Sequence, residues 1–178
     1  MKIFICNGLP QSGKTTFQNL CKHLYKGNVH IISTVDFVKY VASVCGWDNK
    51  KTPKNRKFLS DLKDLLTQWN DVPYKKVVEV AEHLRDDRFC CANDWILFVD
   101  CREPAQIQKL KEGLNATTVL VRRLGDKTSE TSNHADANVF DYEYDYVIKN
   151  YGDLSDLVAE CVGFLDYMKE RNFYVGNY

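Results

Sequence analysis

The run Gly8-Leu9-Pro10-Gln11-Ser12-Gly13-Lys14-Thr15 constrains the fold of this chain more than any other stretch. Its two glycines let backbone N–H groups converge on one point without a Cβ in the way. The Lys and Thr that follow open a helix, whose N-terminal dipole favours an anion there. Such a loop needs a strand before it and a helix after it, and the neighbouring residues supply both. Ile3-Phe4-Ile5-Cys6 is a short apolar run that reads as a buried parallel strand ending at Asn7-Gly8. From Lys14 onward, Phe17, Leu20, Cys21 and Leu24 share one helical face, and Gly27 is placed to stop that helix.

The same alternation continues. Val29 to Ile32 reads as a second strand. Ser33 and Asp36 have capping-box spacing and open a helix carrying Phe37, Val38, Val41 and Val44 up to Gly46. Thr52-Pro53 starts another helix, with an apolar stripe of Phe58, Leu62, Leu65, Leu66 and Trp69. Pro73 begins a fourth, with Val77, Ala81 and Leu84 inward. Residues 34–90 therefore read as a helical insertion between strands two and three. Trp95 to Val99 is a continuous apolar run, the mark of a central parallel strand, and it ends at Asp100-Cys101-Arg102. A helix from Pro104 (Ile107, Leu110, Leu114), a strand Thr117 to Val121, a strand Tyr146 to Ile148 and a last helix (Leu154, Leu157, Val158, Cys161, Leu165, Met168) complete the order. Residues 122–144 are polar and lack an apolar period, which predicts a lid loop.

Alternating strands and helices imply one α/β domain over 1–178. The expected architecture has three layers, with a five-stranded parallel sheet covered by helices on both faces. Ligands of such sheets sit at the carboxyl ends of the strands. Gly8, Asp36, Asp100, Arg102, Arg122 and Asn150 all fall at or just beyond predicted strand ends.

Charge narrows the partners. Lys plus Arg number 24 and Asp plus Glu number 24. A neutral chain has no bulk attraction for nucleic acid or anionic lipid, so an anion needs a local site. No apolar run approaches membrane-spanning length, and Lys2 to Cys6 is too short for a signal peptide. The seven cysteines include no CxxC pair and read as free buried thiols in a cytoplasmic protein. In Cys21-Lys22-His23 the two potential metal ligands diverge on a helix.

Each candidate residue has a chemical use. The backbone of Gly8, Gln11, Ser12, Gly13, Lys14, Thr15 and Thr16 is suited to cradling the phosphates of ATP. Lys14 reaches the terminal phosphates, and Thr15 with Asp100 is suited to holding Mg²⁺. Residue 101 is Cys, where a Glu would activate water, so transfer to an acceptor is favoured over hydrolysis. Asp36 is a candidate base for an acceptor hydroxyl, with helix capping as the alternative; Lys39 stands beside it. Arg56 and Arg102 are candidates for gripping an acceptor phosphate. Arg122 and Arg123 open the polar loop and could stabilise charge on the transferring phosphoryl. His134 in the same loop is a weaker candidate, more simply read as an exposed loop histidine.

These residues together resemble the P-loop nucleoside and nucleotide kinases, and most closely the phage-type deoxynucleoside monophosphate kinases. Three stretches carry the resemblance: Ile3 through Thr16; Phe98-Val99-Asp100-Cys101-Arg102-Glu103-Pro104; and Val121-Arg122-Arg123 through Ser132-Asn133-His134-Ala135-Asp136 to Asp145-Tyr146-Val147-Ile148-Lys149-Asn150-Tyr151-Gly152-Asp153-Leu154. The resemblance implies an ATP- and Mg²⁺-dependent phosphotransferase. It places Asn150 and Gly152 beside the adenine, and it implies a monomer or homodimer in the cytoplasm, the host's if the chain is phage-encoded. Residues 40–90 match only in being helical, which leaves the acceptor open: a nucleotide, or a hydroxyl as in dephospho-coenzyme A kinase or a nucleoside kinase. A nucleotide-binding switch without transfer is the alternative of another class. A GTPase would need an Asn-Lys-x-Asp run, which the sequence lacks.

Overall fold

A computed structural model of the chain describes residues 1–86, 95–125 and 138–170. The elements are β1 (Lys2–Asn7), α1 (Lys14–Leu24), β2 (Asn28–Ser33), α2 (Asp36–Val44), α3 (Pro53–Asn70), α4 (Val72–Asp86), β3 (Trp95–Asp100), α5 (Pro104–Leu114), β4 (Thr117–Arg123), β5 (Tyr146–Asn150) and α6 (Leu154–Glu170). No helix among the described residues is long and apolar enough to cross a membrane. The chain divides into two compact units, a sheet unit of Met1–Ile31 with Asp94–Tyr178, and a helical unit of Ile32–Asn93.

The five strands lie in the order β2-β3-β1-β4-β5. β1 runs parallel to both β3 and β4, and β4 parallel to β5. Strand β1 thus sits at the centre, between two strands that follow it far along the sequence. This explains its unbroken burial, from Ile3 through Asn7. Side chains alternate across the sheet. Phe4, Cys6, Ile96, Phe98, Val119, Val121 and Ile148 face a core shared with Phe17 and Cys21 of α1 and with Leu157, Cys161, Phe164 and Met168 of α6. Helix α5 packs against β1 and β4 and buries Ile107, Leu110 and Leu114. An aromatic cluster fixes α1 on the sheet: Phe17 lies 5.9 Å from Phe98 and 5.2 Å from Phe164, both edge-on, a favoured geometry for aromatic pairs. Because Phe17 stands one turn beyond Lys14, this packing also fixes where the glycine-spaced loop must end.

Strands run one or two residues further toward their carboxyl ends than the apolar runs predict. Asp100, Arg123 and Asn150 are therefore the last residues of β3, β4 and β5. Helix α1 ends earlier than expected, at Leu24, and Leu24 is exposed. Gly27 lies in the bend before β2.

In the helical unit, α3 starts as expected. Thr52 caps it by accepting from the Asn55 N–H at 3.2 Å, with Pro53 in the first turn. Its predicted inward stripe is inward only in part: Leu62 and Leu66 are half-buried. Phe58, Leu65 and Trp69 are exposed, Trp69 by 82%, and Lys63 is the side chain of this helix that is buried. Helix α2 likewise buries Val38 and Ala42 and leaves Val44 exposed. The capping-box expectation holds in part. Helix α2 has Val35 at its N-cap and no side-chain cap. The Asp36 carboxylate accepts the Ser33 N–H at 2.7 Å, the reach-back bond of such a box, and closes the turn before the helix.

Candidate functional site

The loop after β1 is shaped by glycine and held from below. An ideal Cβ on Gly8 would lie 2.6 Å from the Val121 carbonyl oxygen and 2.6 Å from Ser12 Oγ, so only glycine fits against β4 there. Gln11 and Gly13 take positive φ, 65° and 94°, and the Ser12 N–H donates to Leu9 O at 3.1 Å. Gly13 is the N-cap of α1, and no side chain caps that helix. Ser12 Oγ is buried without a hydrogen-bond partner in the described residues. Uncapped helix N–H groups and an unsatisfied hydroxyl in a tight glycine loop fit the phosphate chain of a nucleotide.

Asn7 begins this loop. Its Oδ1 accepts from the Gly8 N–H at 2.8 Å, while its Nδ2 donates to Arg102 O at 3.2 Å and to Tyr144 Oη at 2.7 Å. The end of β1, the residues just after β3 and the approach to β5 are thus tied at the root of the loop. The Tyr144 hydroxyl in turn donates to Val139 O at 2.9 Å. Burial pushes its phenol up to about 12, with the Asn7 hydrogen bond pulling the other way. The group stays protonated at neutral pH and keeps both bonds.

Two side chains of α1 meet on Asp100. Lys14 Nζ is ion-paired to its Oδ2. Gln18, buried and one turn further along α1, donates to its Oδ1 at 2.7 Å. Both carboxylate oxygens are therefore oriented by α1. The register places Cys6 opposite Asp100. Burial, and next the charge of Asp100, push the Cys6 thiol far up, which leaves it protonated and inert. Cys101 is also buried. Among the described residues no group of three or more His, Cys, Asp or Glu side chains could hold a metal. A Mg²⁺ site here would rest on the Asp100 carboxylate and the Thr15 hydroxyl, hard oxygen donors that leave positions for water and phosphate.

The arginines divide. Arg102 follows the end of β3 and is half-buried. Arg122 and Arg123 belong to β4 rather than to a loop. The Arg122 guanidinium lies 5.0 Å from the centroid of Phe140, a cation–π distance. Arg123 Nη2 would be 3.7 Å from a Cβ at Gly152. The predicted lid of 122–144 is thus too wide at both ends. Val139 is fully buried with Leu9 and Leu120, and Phe140 and Tyr144 pack on them. The segment returning to β5 is clamped to the glycine loop through Leu9. His134, and the middle of the predicted lid, lie outside the described residues, as do Cys90 and Cys91.

Asn150 is buried at the end of β5. Its Nδ2 donates to Ser12 O at 2.8 Å, and its Oδ1 accepts from the Gly152 N–H at 2.9 Å. Its carboxamide is therefore turned to the glycine loop. Gly152, at φ 102°, makes the turn that follows.

The sheet unit thus brings together Gly8, Gln11, Ser12, Gly13, Lys14, Thr15, Thr16, Asp100, Arg102, Arg122, Arg123, Asn150 and Gly152 at the carboxyl ends of its strands. Asp36 and Arg56 belong to the helical unit. There Asp36 pairs with Lys39 at 3.5 Å besides closing its turn, and Arg56 is exposed. Sequence reasoning missed Asn7, Gln18 and Tyr144. Gln18 could have been found, since it is a polar residue four positions after Lys14 on a helix that must face β3. Tyr144 carries no local signal.

No protein-family model and no curated protein sequence matches this chain. Solved structures do resemble it. Shikimate kinase from Aquifex aeolicus superposes with a TM-score of 0.52 at 13% identity, covering 95% of this chain and 98% of that one. Gluconokinase from Sinorhizobium meliloti gives 0.51 at 11% identity, covering 99% and 98%. Dephospho-CoA kinase from Campylobacter jejuni gives 0.51 at 16% identity, covering 94% and 97%. At such identities the likeness establishes a shared fold, the α/β P-loop fold.

Proposed function

We propose that this chain is an ATP-dependent kinase that transfers the γ-phosphoryl group to a nucleoside or deoxynucleoside monophosphate. The observation that carries this reading is the meeting of Lys14 and Gln18 on Asp100, at the foot of an uncapped glycine loop. An ammonium, an oriented carboxylate and free helix N–H groups at one point are the parts phosphoryl transfer needs. Lys14 exchanges the Asp100 carboxylate for phosphate oxygens when nucleotide binds. Thr15 and Asp100 would hold Mg²⁺, which when bound neutralises phosphate charge. Gln18 keeps Asp100 aimed while Lys14 moves away. Arg122 and Arg123, at the end of β4, are suited to stabilising charge on the transferring group. Cys101, where a water-activating Glu would stand, supports transfer over hydrolysis.

The monophosphate acceptor is supported by the resemblance and by Arg102 at the end of β3. The engagement of Asp36 with Ser33 and Lys39 speaks against its use as a base for a hydroxyl acceptor. The test is a panel: ATP, Mg²⁺ and, in turn, nucleosides, deoxynucleoside monophosphates, ribonucleoside monophosphates and dephospho-coenzyme A, with ADP measured. Turnover with a monophosphate is expected. Turnover only with a hydroxyl acceptor would replace the acceptor and return Asp36 to the reaction. ATP binding without turnover anywhere in the panel would mark a nucleotide-binding switch.

A further inference from the structure

We infer that Asn150 is a positioning residue for phosphate binding, a strut that sets the direction of the Gly13 N–H; this rests on the kinase reading above. The argument starts from peptide geometry. A trans peptide is planar, so its C=O and N–H point in opposite directions. Ser12 O and the Gly13 N–H belong to one such plane. Asn150 Nδ2 holds Ser12 O at 2.8 Å in a buried contact. Pulling the carbonyl toward β5 turns the Gly13 N–H away from β5, to the side where α1 presents its uncapped first turn.

Three further contacts make the strut rigid. Asn150 Oδ1 accepts from the Gly152 N–H, so the carboxamide cannot rotate without losing a second bond. The backbone carbonyl of Asn150 accepts from the Leu124 N–H at 2.8 Å, which fixes the end of β5 to the end of β4. A Cβ on Gly13 would overlap the Asn150 carboxamide, so glycine at this position serves the strut as well as the positive φ of 94°. Asn150 is itself 8% exposed. A buried amide with both ends engaged is a fixed element, because either bond broken alone leaves an unsatisfied group. The consequence is that phosphate affinity depends on a side chain more than a hundred residues away in sequence that need not touch the ligand.

The test separates this role from a base contact. Asn150→Asp keeps the acceptor for Gly152 and replaces the donor facing Ser12 O with an oxygen. Asn150→Ser removes the reach without placing a charge. The probe is inorganic tripolyphosphate, which has no base, measured by calorimetry alongside ATP and GTP binding. The strut predicts that each folded variant binds tripolyphosphate about tenfold more weakly, the scale of one hydrogen bond to a charged group, with the ATP-to-GTP preference unchanged. A base contact predicts the reverse, and that result overturns the inference. In the wild-type protein, tripolyphosphate should shift the amide resonances of Gly13 and of the Asn150 side chain together; an unmoved Asn150 resonance also overturns it. Wild-type protein that binds neither tripolyphosphate nor ATP overturns the kinase reading, and the strut with it. Wild-type binding that both variants retain overturns the strut alone.

Discussion

The sheet unit and the helical unit use their polar and apolar residues in opposite ways. In the sheet unit Asn7, Gln18, Thr118 and Asn150 are buried, and each spends its side chain on backbone, on Asp100 or on Asp145. In the helical unit α3 buries Lys63 and exposes Phe58, Leu65 and Trp69. A helix satisfies its own backbone except at its ends, where a cap such as Thr52 on α3 suffices. A glycine loop satisfies almost none of its backbone, so its shape must be imposed from outside by buried polar groups. Precision in this chain is therefore concentrated where peptide groups bind, and the helices are left free to present a surface.

The largest expected effect breaks the comparison at its chemical end. Lys14→Ala should lower kcat/KM on the order of a thousandfold, the scale of losing a charge at the transferring phosphoryl. The melting temperature should fall as well, because Lys14 is largely buried against Asp100, so activity is compared at a temperature where both proteins are folded. Activity near wild type would place the phosphate site elsewhere.

Next comes the contrast in packing. Phe17→Ala should destabilise by about 3–5 kcal/mol, since it empties the centre of the aromatic cluster. Trp69→Ala should change stability by less than about 0.5 kcal/mol, as an exposed side chain does. Urea denaturation of both variants decides it. A large loss from Trp69→Ala would mean that the exposed stripe is covered in solution.

Gln18→Leu is a smaller probe. It leaves Asp100 with Lys14 as partner but without its second anchor. The expected result is about a tenfold loss in kcat, as for a ligand-orienting group, with a raised Mg²⁺ requirement in a metal titration. An unchanged Mg²⁺ dependence would reduce Gln18 to packing.

The smallest effect compares two ion pairs. Asp145 is pushed up by burial, but hydrogen bonds from Lys111 and from Thr118 outweigh this and hold its carboxyl below the usual range. A depressed carboxylate adds stability above its unfolded value, near 3.9, and loses it as the pH falls through the lower folded value. Stability should therefore fall off below about pH 4, and Asp145→Asn should flatten that fall. The Lys57–Asp61 pair of α3 is exposed on both sides, so Asp61→Asn should leave the denaturation midpoint at neutral pH unchanged.

The fold was legible because periodicity and the glycine loop both encode it locally. The meeting of Lys14 with Asp100 at one strand end was legible because a motif and the end of an apolar run announce those positions. The inward face of α3 was read too wide: Leu62 and Leu66 are half-buried while Phe58, Leu65 and Trp69 are exposed, and periodicity says only that one face differs from the other, not how much of it is covered. The contact of Asn150 with the glycine loop was hidden for another reason. Its bond to Ser12 is a long-range contact, and nothing near residue 150 reports what the glycine loop requires. The lid was drawn too wide because 138–144 are polar and aromatic in sequence, yet Val139 and Tyr144 are pinned by Leu9 and Asn7.

The central place of β1 also sets an order of events during synthesis. Lys2–Asn7 leaves the ribosome before either neighbour: β3 is complete at Asp100 and β4 at Arg123. At about 5–20 residues per second, the strand that carries the glycine loop waits on the order of ten seconds for both sides to pair. For that time its apolar row and both ladders of backbone groups stand open, as an edge strand's do. The glycine loop cannot gain its bond at Ser12 O until Asn150 has also emerged. The nascent chain thus passes through a long period in which this buried apolar strand is unprotected and the glycine loop after it is not yet held in place. Solubility during synthesis should depend more on the flanking polar residues than on the stability of the finished protein.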